Sequence, residues 1–133
     1  MTKVLIAEDN STVLETIAFE LEMRGYEVLP TSDGQHALSV LQISSPAPDI
    51  IVSDIAMPDI DGFRLLELIR AHPVWNTIPV LFLTAFNSPN SIRISKELGV
   101  DDYIVKPFQA DDLVIAIENK LERIRAYRQS TNR

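Results

Sequence analysis

At 133 residues, with 46% apolar and 23% charged positions, the chain has the size and composition of one globular domain. No run approaches the roughly 20 apolar residues of a bilayer-spanning helix, "MTKVLIAEDN" lacks the apolar core of a secretory signal, and the absence of cysteine excludes disulfides and thiolate metal sites, so a cytoplasmic compartment is expected. The net charge of −7 disfavours direct nucleic-acid binding, and it is uneven: residues 119–133 carry five Lys or Arg against one Glu, leaving −11 on the first 118.

"KVLIA" reads as a buried strand that runs into Glu8, Asp9 and Asn10. Asn10 and Ser11 are cap candidates for a first helix with Leu14, Ile17, Ala18 and Leu21 at helical spacing, and Gly25 is its stop. "YEVL" is a second strand, and a second helix runs from Asp33 through Ala37, Leu38 and Leu41 until "SSPAP" breaks it. "DIIVSD" is a third strand ending in Asp54, and "GFRLLELIRAH" is a helix that ends before Pro73. "IPVLFLTA" is a fourth strand with Thr84 at its end, after which Ser88 and Pro89 open a helix that closes at Gly99. "DYIVK" is a fifth strand ending in Lys106, followed by Pro107. The last helix begins near Ala110, and its Val114, Ile117, Leu121 and Ile124 step by three, four and three, the spacing of a coiled-coil seam. Its basic end reads either as the cations favoured at a helix C-terminus or as the start of a linker.

Strand and helix alternating five times predicts an α/β fold of the (βα)5 kind, a parallel sheet with helices on both faces. Pattern alone does not order the strands. In open parallel sheets ligands bind beyond the carboxyl ends of the strands. Those ends carry Glu8 and Asp9, Asp54, Thr84 and Lys106. Two unit charges about 5 Å apart repel by roughly 3 kcal/mol at an effective dielectric near 20, so converging carboxylates need a cation. Oxygen ligands without nearby His or Cys select Mg²⁺, with Mn²⁺ as a substitute. The plainer alternatives are that Asp9 or Asn10 only caps a helix, that Asp54 makes a turn, that Thr84 is a cap and that Lys106 is a solvated charge. A carboxylate beside a metal and a lysine can attack phosphorus, with Lys106 and the metal neutralising the incoming dianion and Thr84 donating a hydrogen bond.

"AEDN", "DIAMPDIDG", "LTA" and "DDYIVKPF", in that order on successive strand ends, closely resemble the receiver domain of two-component response regulators, over residues 3 to about 125. The resemblance implies a doubly wound, flavodoxin-like three-layer sandwich with strand order 2-1-3-4-5, a receiver domain at 1–126 and a tail or linker at 127–133. It implies Asp54 as phosphoacceptor, Glu8 and Asp9 as the acidic pair at Mg²⁺, a metal-binding carbonyl from Ala56, and phosphate-binding amides from Ala56 and Ala85. Thr84 and Tyr103 would be the switch hydroxyl and aromatic, Lys106 the phosphate-pairing lysine, and Lys106–Pro107 a cis bond. The implied partners are a sensor histidine kinase or phosphotransfer protein and an output protein or module, with a phosphorylation-dependent homodimer through the fourth helix, fifth strand and fifth helix. Ala56 and Phe86, at two variable positions, offer no side chain to orient water, which predicts slow self-dephosphorylation. Gly62 is expected to let the chain turn into the third helix, and Trp75 to be a packing or loop anchor. His36 and His72 have no partner at metal spacing. A phosphatase of the haloacid-dehalogenase type would want a second Asp where Ala56 stands, and the four glycines cannot write a nucleotide-binding loop. A pseudo-receiver that binds partners without phosphorylation is the remaining rival.

Overall fold

A computed structural model describes residues 1–85 and 88–131. Strands and helices alternate as β1 (Lys3–Ala7), α1 (Ser11–Met23), β2 (Glu27–Thr31), α2 (Gly34–Ile43), β3 (Ile50–Ser53), α3 (Gly62–Ala71), β4 (Val80–Thr84), α4 (Pro89–Glu97), β5 (Asp102–Val105) and α5 (Ala110–Thr131). All neighbouring strands are parallel, in the order β2-β1-β3-β4-β5, which is the order the resemblance implied.

The central strands β3 and β4 are buried along their whole length, as apolar runs covered on both faces must be. Alternation along them divides the core in two. One face packs Leu5, Ile51, Val80 and Phe82 against Leu41 of α2 and Leu65, Leu66 and Ile69 of α3. The other packs Val4, Ile6, Val52, Leu81 and Leu83 against Ile17 and Leu21 of α1 and Leu113, Ile117 and Leu121 of α5. Val114, Ile117 and Leu121 are thus spent on the domain's own core, and only Ile124 of the coiled-coil spacing lies partly outside it. That reading of the seam is corrected: a helix lying on a sheet needs the same three-four stripe.

β2 runs two residues past the predicted "YEVL" and includes Pro30, opposite Ile6. Proline is tolerated there because β2 is an edge strand, paired only to β1. α5 crosses residue 126 without a break, and from Glu122 to Ser130 only Ile124 is even partly buried.

Four helices begin on side-chain caps: Asn10 accepts from Val13 N–H, Asp33 from His36, Asp61 from Arg64 and Ser88 from Ser91. Asp33→Ala removes the 2.7 Å bond at the start of α2 and is expected to cost about 1 kcal/mol, or about 3–6 °C in Tm, measured by thermal denaturation. α4 is the least anchored helix, its one fully buried residue being Ser95, whose hydroxyl bonds back to Ser91 O. At the opposite end of the sheet Asp101 fastens three elements: Oδ2 accepts from Arg70 of α3 at 2.8 Å and from Val80 N at 2.7 Å, and Oδ1 meets Lys120 of α5 at 3.0 Å.

Tyr26, between α1 and β2, donates to Glu118 of α5 at 3.1 Å. Burial, then this bond, pushes its pKa up to about 12. A raised acid pKa means that the stabilisation is whole below the unfolded-state value near 10 and is lost as the unfolded chain ionises first, between pH 10 and about 12. The Tyr26→Phe protein is therefore expected to show a shallower fall of Tm across that window than wild type, and parallel curves would contradict it.

Candidate functional site

Backbone pairing that outlasts the strands assembles the rim. Asp54 N–H donates to Ala7 O at 2.9 Å, Glu8 N–H to Thr31 O at 3.1 Å, and Lys106 N–H to Thr84 O at 2.9 Å. These bonds extend the ladder by one residue at β3, β1 and β5. Glu8 and Asp54 are consequently almost sealed from water, at 1% and 7% exposure, while Asp9 is exposed.

The Lys106 ammonium bridges the two buried acids, with Nζ 2.5 Å from Glu8 Oε1 and 2.9 Å from Asp54 Oδ2. The other Asp54 oxygen, Oδ1, accepts from the amides of Ile55 at 2.7 Å and Ala56 at 3.3 Å. Glu8 Oε2 accepts from Asn10 N–H at 3.1 Å. Burial lifts the Glu8 pKa above its ordinary value, despite the bonds from Lys106 and Asn10, and the nearby Asp54 charge adds to the rise. Partial burial opposes the Lys106 charge, but the bonds to Asp54 and Glu8 outweigh it and raise its pKa.

Oxygens of Glu8, Asp9 and Asp54 lie within 4.8 Å of one another, the one such acidic group among the described residues. Three hard oxygen donors around two buried carboxylates fit a divalent cation of the Mg²⁺ kind. Capping does not explain Asp9, since Asn10 caps α1, nor Thr84, since Ser88 caps α4. Thr84 is buried at 1% exposure at the end of β4, and Ala85 follows it at the surface. Tyr103 packs its ring on the α2–α3 side of the core, opposite Phe82 in the sheet, and burial raises its pKa. Its hydroxyl is buried with no hydrogen-bond partner among the described residues. The Lys106–Pro107 bond is cis.

A family profile described as "Response regulator receiver domain" matches residues 4–118. This chain belongs to the response regulator receiver family. Among curated relatives, Protein RcaC of Microchaete diplosiphon is 37% identical over 94% of this chain, and Sensory transduction protein BceR of Halalkalibacterium halodurans is 33% identical over 96%. The chain spans 53% of BceR and 19% of RcaC, so those proteins are considerably longer. A receiver domain protein from Clostridium thermocellum superposes with a TM-score of 0.86 at 30% identity, covering 96% of this chain and 99% of that one. Chemotaxis protein CheY4 of Vibrio cholerae gives 0.84 at 31%, covering 90% and 98%.

Other residues of this receiver domain do plainer work. His36 Nδ1 accepts from Ser32 N–H, and His72 stacks on the buried Trp75 with ring centroids 3.6 Å apart while its Nδ1 faces the Val74 and Trp75 amides. Trp75 is a packing anchor, as expected. Gly62 is not in the left-handed region: it is glycine because a Cβ there would stand 2.4 Å from Asp54 O and 2.7 Å from Ile55 Cα. Phe86 lies outside the described residues. Two contributors escaped sequence reasoning, the Asn10 and Ile55 amides, which any residue but proline offers. No helix among the described residues is long and apolar enough to cross a membrane.

Proposed function

We propose that Asp54 of this receiver domain accepts a phosphoryl group from the phosphohistidine of a sensor kinase or phosphotransfer protein, and that the resulting aspartyl phosphate switches a partner or output module. The observation that carries this reading is the buried Asp54 carboxylate hydrogen-bonded to Lys106, with Glu8 and Asp9 oxygens within 4.8 Å. An Asp54 oxygen attacks phosphorus, the P–N bond of the donor breaks, and the imidazole leaves with the electron pair. Glu8, Asp9, Asp54 and the Ala56 carbonyl would hold Mg²⁺, which when bound supplies positive charge to the transferring group. Lys106 offsets charge on the phosphoryl oxygens, and the Ala56 and Ala85 amides and the Thr84 hydroxyl donate to them.

Thr84 and Tyr103 then read the new charge: the hydroxyl follows the phosphate and the aromatic ring occupies the space, re-forming the α4–β5–α5 surface. Moving such an equilibrium from 1:99 to 99:1 takes about 5.5 kcal/mol of differential stabilisation, a scale that a dianion held by Lys106, Thr84 and a metal can reach. Residues 1–126 form the receiver in this reading, and 127–133 lead toward an output or a partner, which a second copy docked through α4, β5 and α5 could also be. The test is mass measurement after incubation with Mg²⁺ and acetyl phosphate, followed by peptide mapping. One phosphoryl group on the peptide containing Asp54 supports the reading, and a wild type that stays unmodified overturns it.

A further inference from the structure

Gly34 is the first residue of α2 and is buried, and against it lies the loop that follows Asp54. A Cβ at position 34 would stand 2.5 Å from Ile60 O, 2.8 Å from Ile60 Cγ2 and 2.9 Å from Ile60 Cβ. Carbon atoms do not approach that closely, and the nearest of the three partners is backbone, so the loop itself would have to move. It has little slack. Asp59, just before Ile60, already sits at φ 64°, a conformation that few non-glycine residues adopt. Asp61, just after it, is fixed by capping α3, and Gly62 N–H donates to Ile55 O at 2.8 Å. The loop is thus pinned at Ile60 by α2 and at its closing end by Gly62 under Asp54 O. Displacement at Ile60 runs back along the loop past Met57, itself buried in the α2–α3 side of the core, to Ile55 and Ala56, whose amides hold Asp54 Oδ1.

We propose that Gly34 is a positioning residue for the phosphoacceptor: the side chain it lacks is the seat of Ile60, and that seat sets where Ile55 and Ala56 present their amides to Asp54. The inference rests on the reading of Asp54 as phosphoacceptor. Gly34 touches no substrate, and it acts through the loop. Its chemistry is steric, which separates it from the acids and lysine at the rim.

The test compares Gly34→Ala with Gly25→Ala in the full chain. Gly25, at φ 91° with nothing within 4 Å of an added Cβ, strains only its own backbone, and so supplies a destabilised control remote from the loop. Both are read at a temperature where they are folded, by amide NMR shifts of Ile55 and Ala56 and by the Asp54 phosphorylation rate at saturating acetyl phosphate and Mg²⁺. Gly34→Ala is expected to move both amide resonances and to slow the saturating rate by about tenfold, within the ~100-fold that a 1 Å misplacement can cost. Gly25→Ala should do neither. Should Gly34→Ala not fold, Ile60→Ala empties the same seat without a clash, and the same amides should shift with a rate loss of about threefold. Wild-type amides and rate in a folded Gly34→Ala, or in Ile60→Ala where only that variant folds, overturn the proposal. Absence of phosphorylation in wild type would instead sink the functional reading beneath it.

Discussion

The Asp54→Asn protein is expected to gain no phosphoryl group from acetyl phosphate and Mg²⁺ under conditions that label wild type, a loss of at least about 10³-fold in rate, because a carboxamide is too weak a nucleophile to replace the carboxylate at phosphorus. The substitution is nearly isosteric. Asn keeps a carbonyl oxygen for the Ile55 and Ala56 amides and removes one of three crowded negative charges, while its NH2 faces the Lys106 ammonium, which retains Glu8 as partner, so the fold should survive. Without divalent ions its Tm should stay within a few degrees of wild type, which separates lost chemistry from lost structure. A phosphoryl group still arriving on the variant would point to another acceptor, with the exposed Asp9 the first to map.

Lys106→Met is expected to lower both stability and rate. Removing the ammonium leaves Glu8 and Asp54 buried without their shared partner. Breaking a fully buried pair costs ~3–5 kcal/mol, and since 23% of the Lys106 side chain stays in water, about 2 kcal/mol is expected in EDTA, or roughly 5–10 °C in Tm. Saturating Mg²⁺ should narrow the gap, because it supplies positive charge at the same acids. Phosphorylation should slow by about 10²-fold, the usual scale for deleting one charge-stabilising donor. Equal Tm values for the two proteins in EDTA would show that the ammonium does not relieve the acidic pair.

Much of this was legible in the chain because the physics is local. Short apolar runs punctuated by caps gave the strands and helices, and alternation gave the parallel sheet. The residues at the strand ends, Glu8, Asp9, Asp54, Thr84 and Lys106, announced themselves by polarity after burial. Strand order came only through resemblance, since periodicity does not say which strands are neighbours. β2 extends beyond the "YEVL" run to take in Pro30, which a strand tolerates only at a sheet edge, a position that the run itself does not reveal. The Val114–Ile124 stripe was ambiguous because a sheet and a second helix demand the same spacing. Backbone contributions were hidden altogether: Gly62 and Gly34 matter for atoms they do not have, next to Asp54 and Ile60, which are 8 and 26 residues away in the chain.

α4 meets the rest of the molecule through one fully buried serine and the half-buried Ile92 and Ile94, where α3 buries Leu65, Leu66 and Ile69 completely. Less oily surface would be uncovered if this segment lifted away than if α3 did, so its detachment carries a smaller penalty. Pro89–Glu97 should then trade amide protons for deuterium well ahead of Gly62–Ala71. The molecule has, in effect, one hinged panel in an otherwise bolted case.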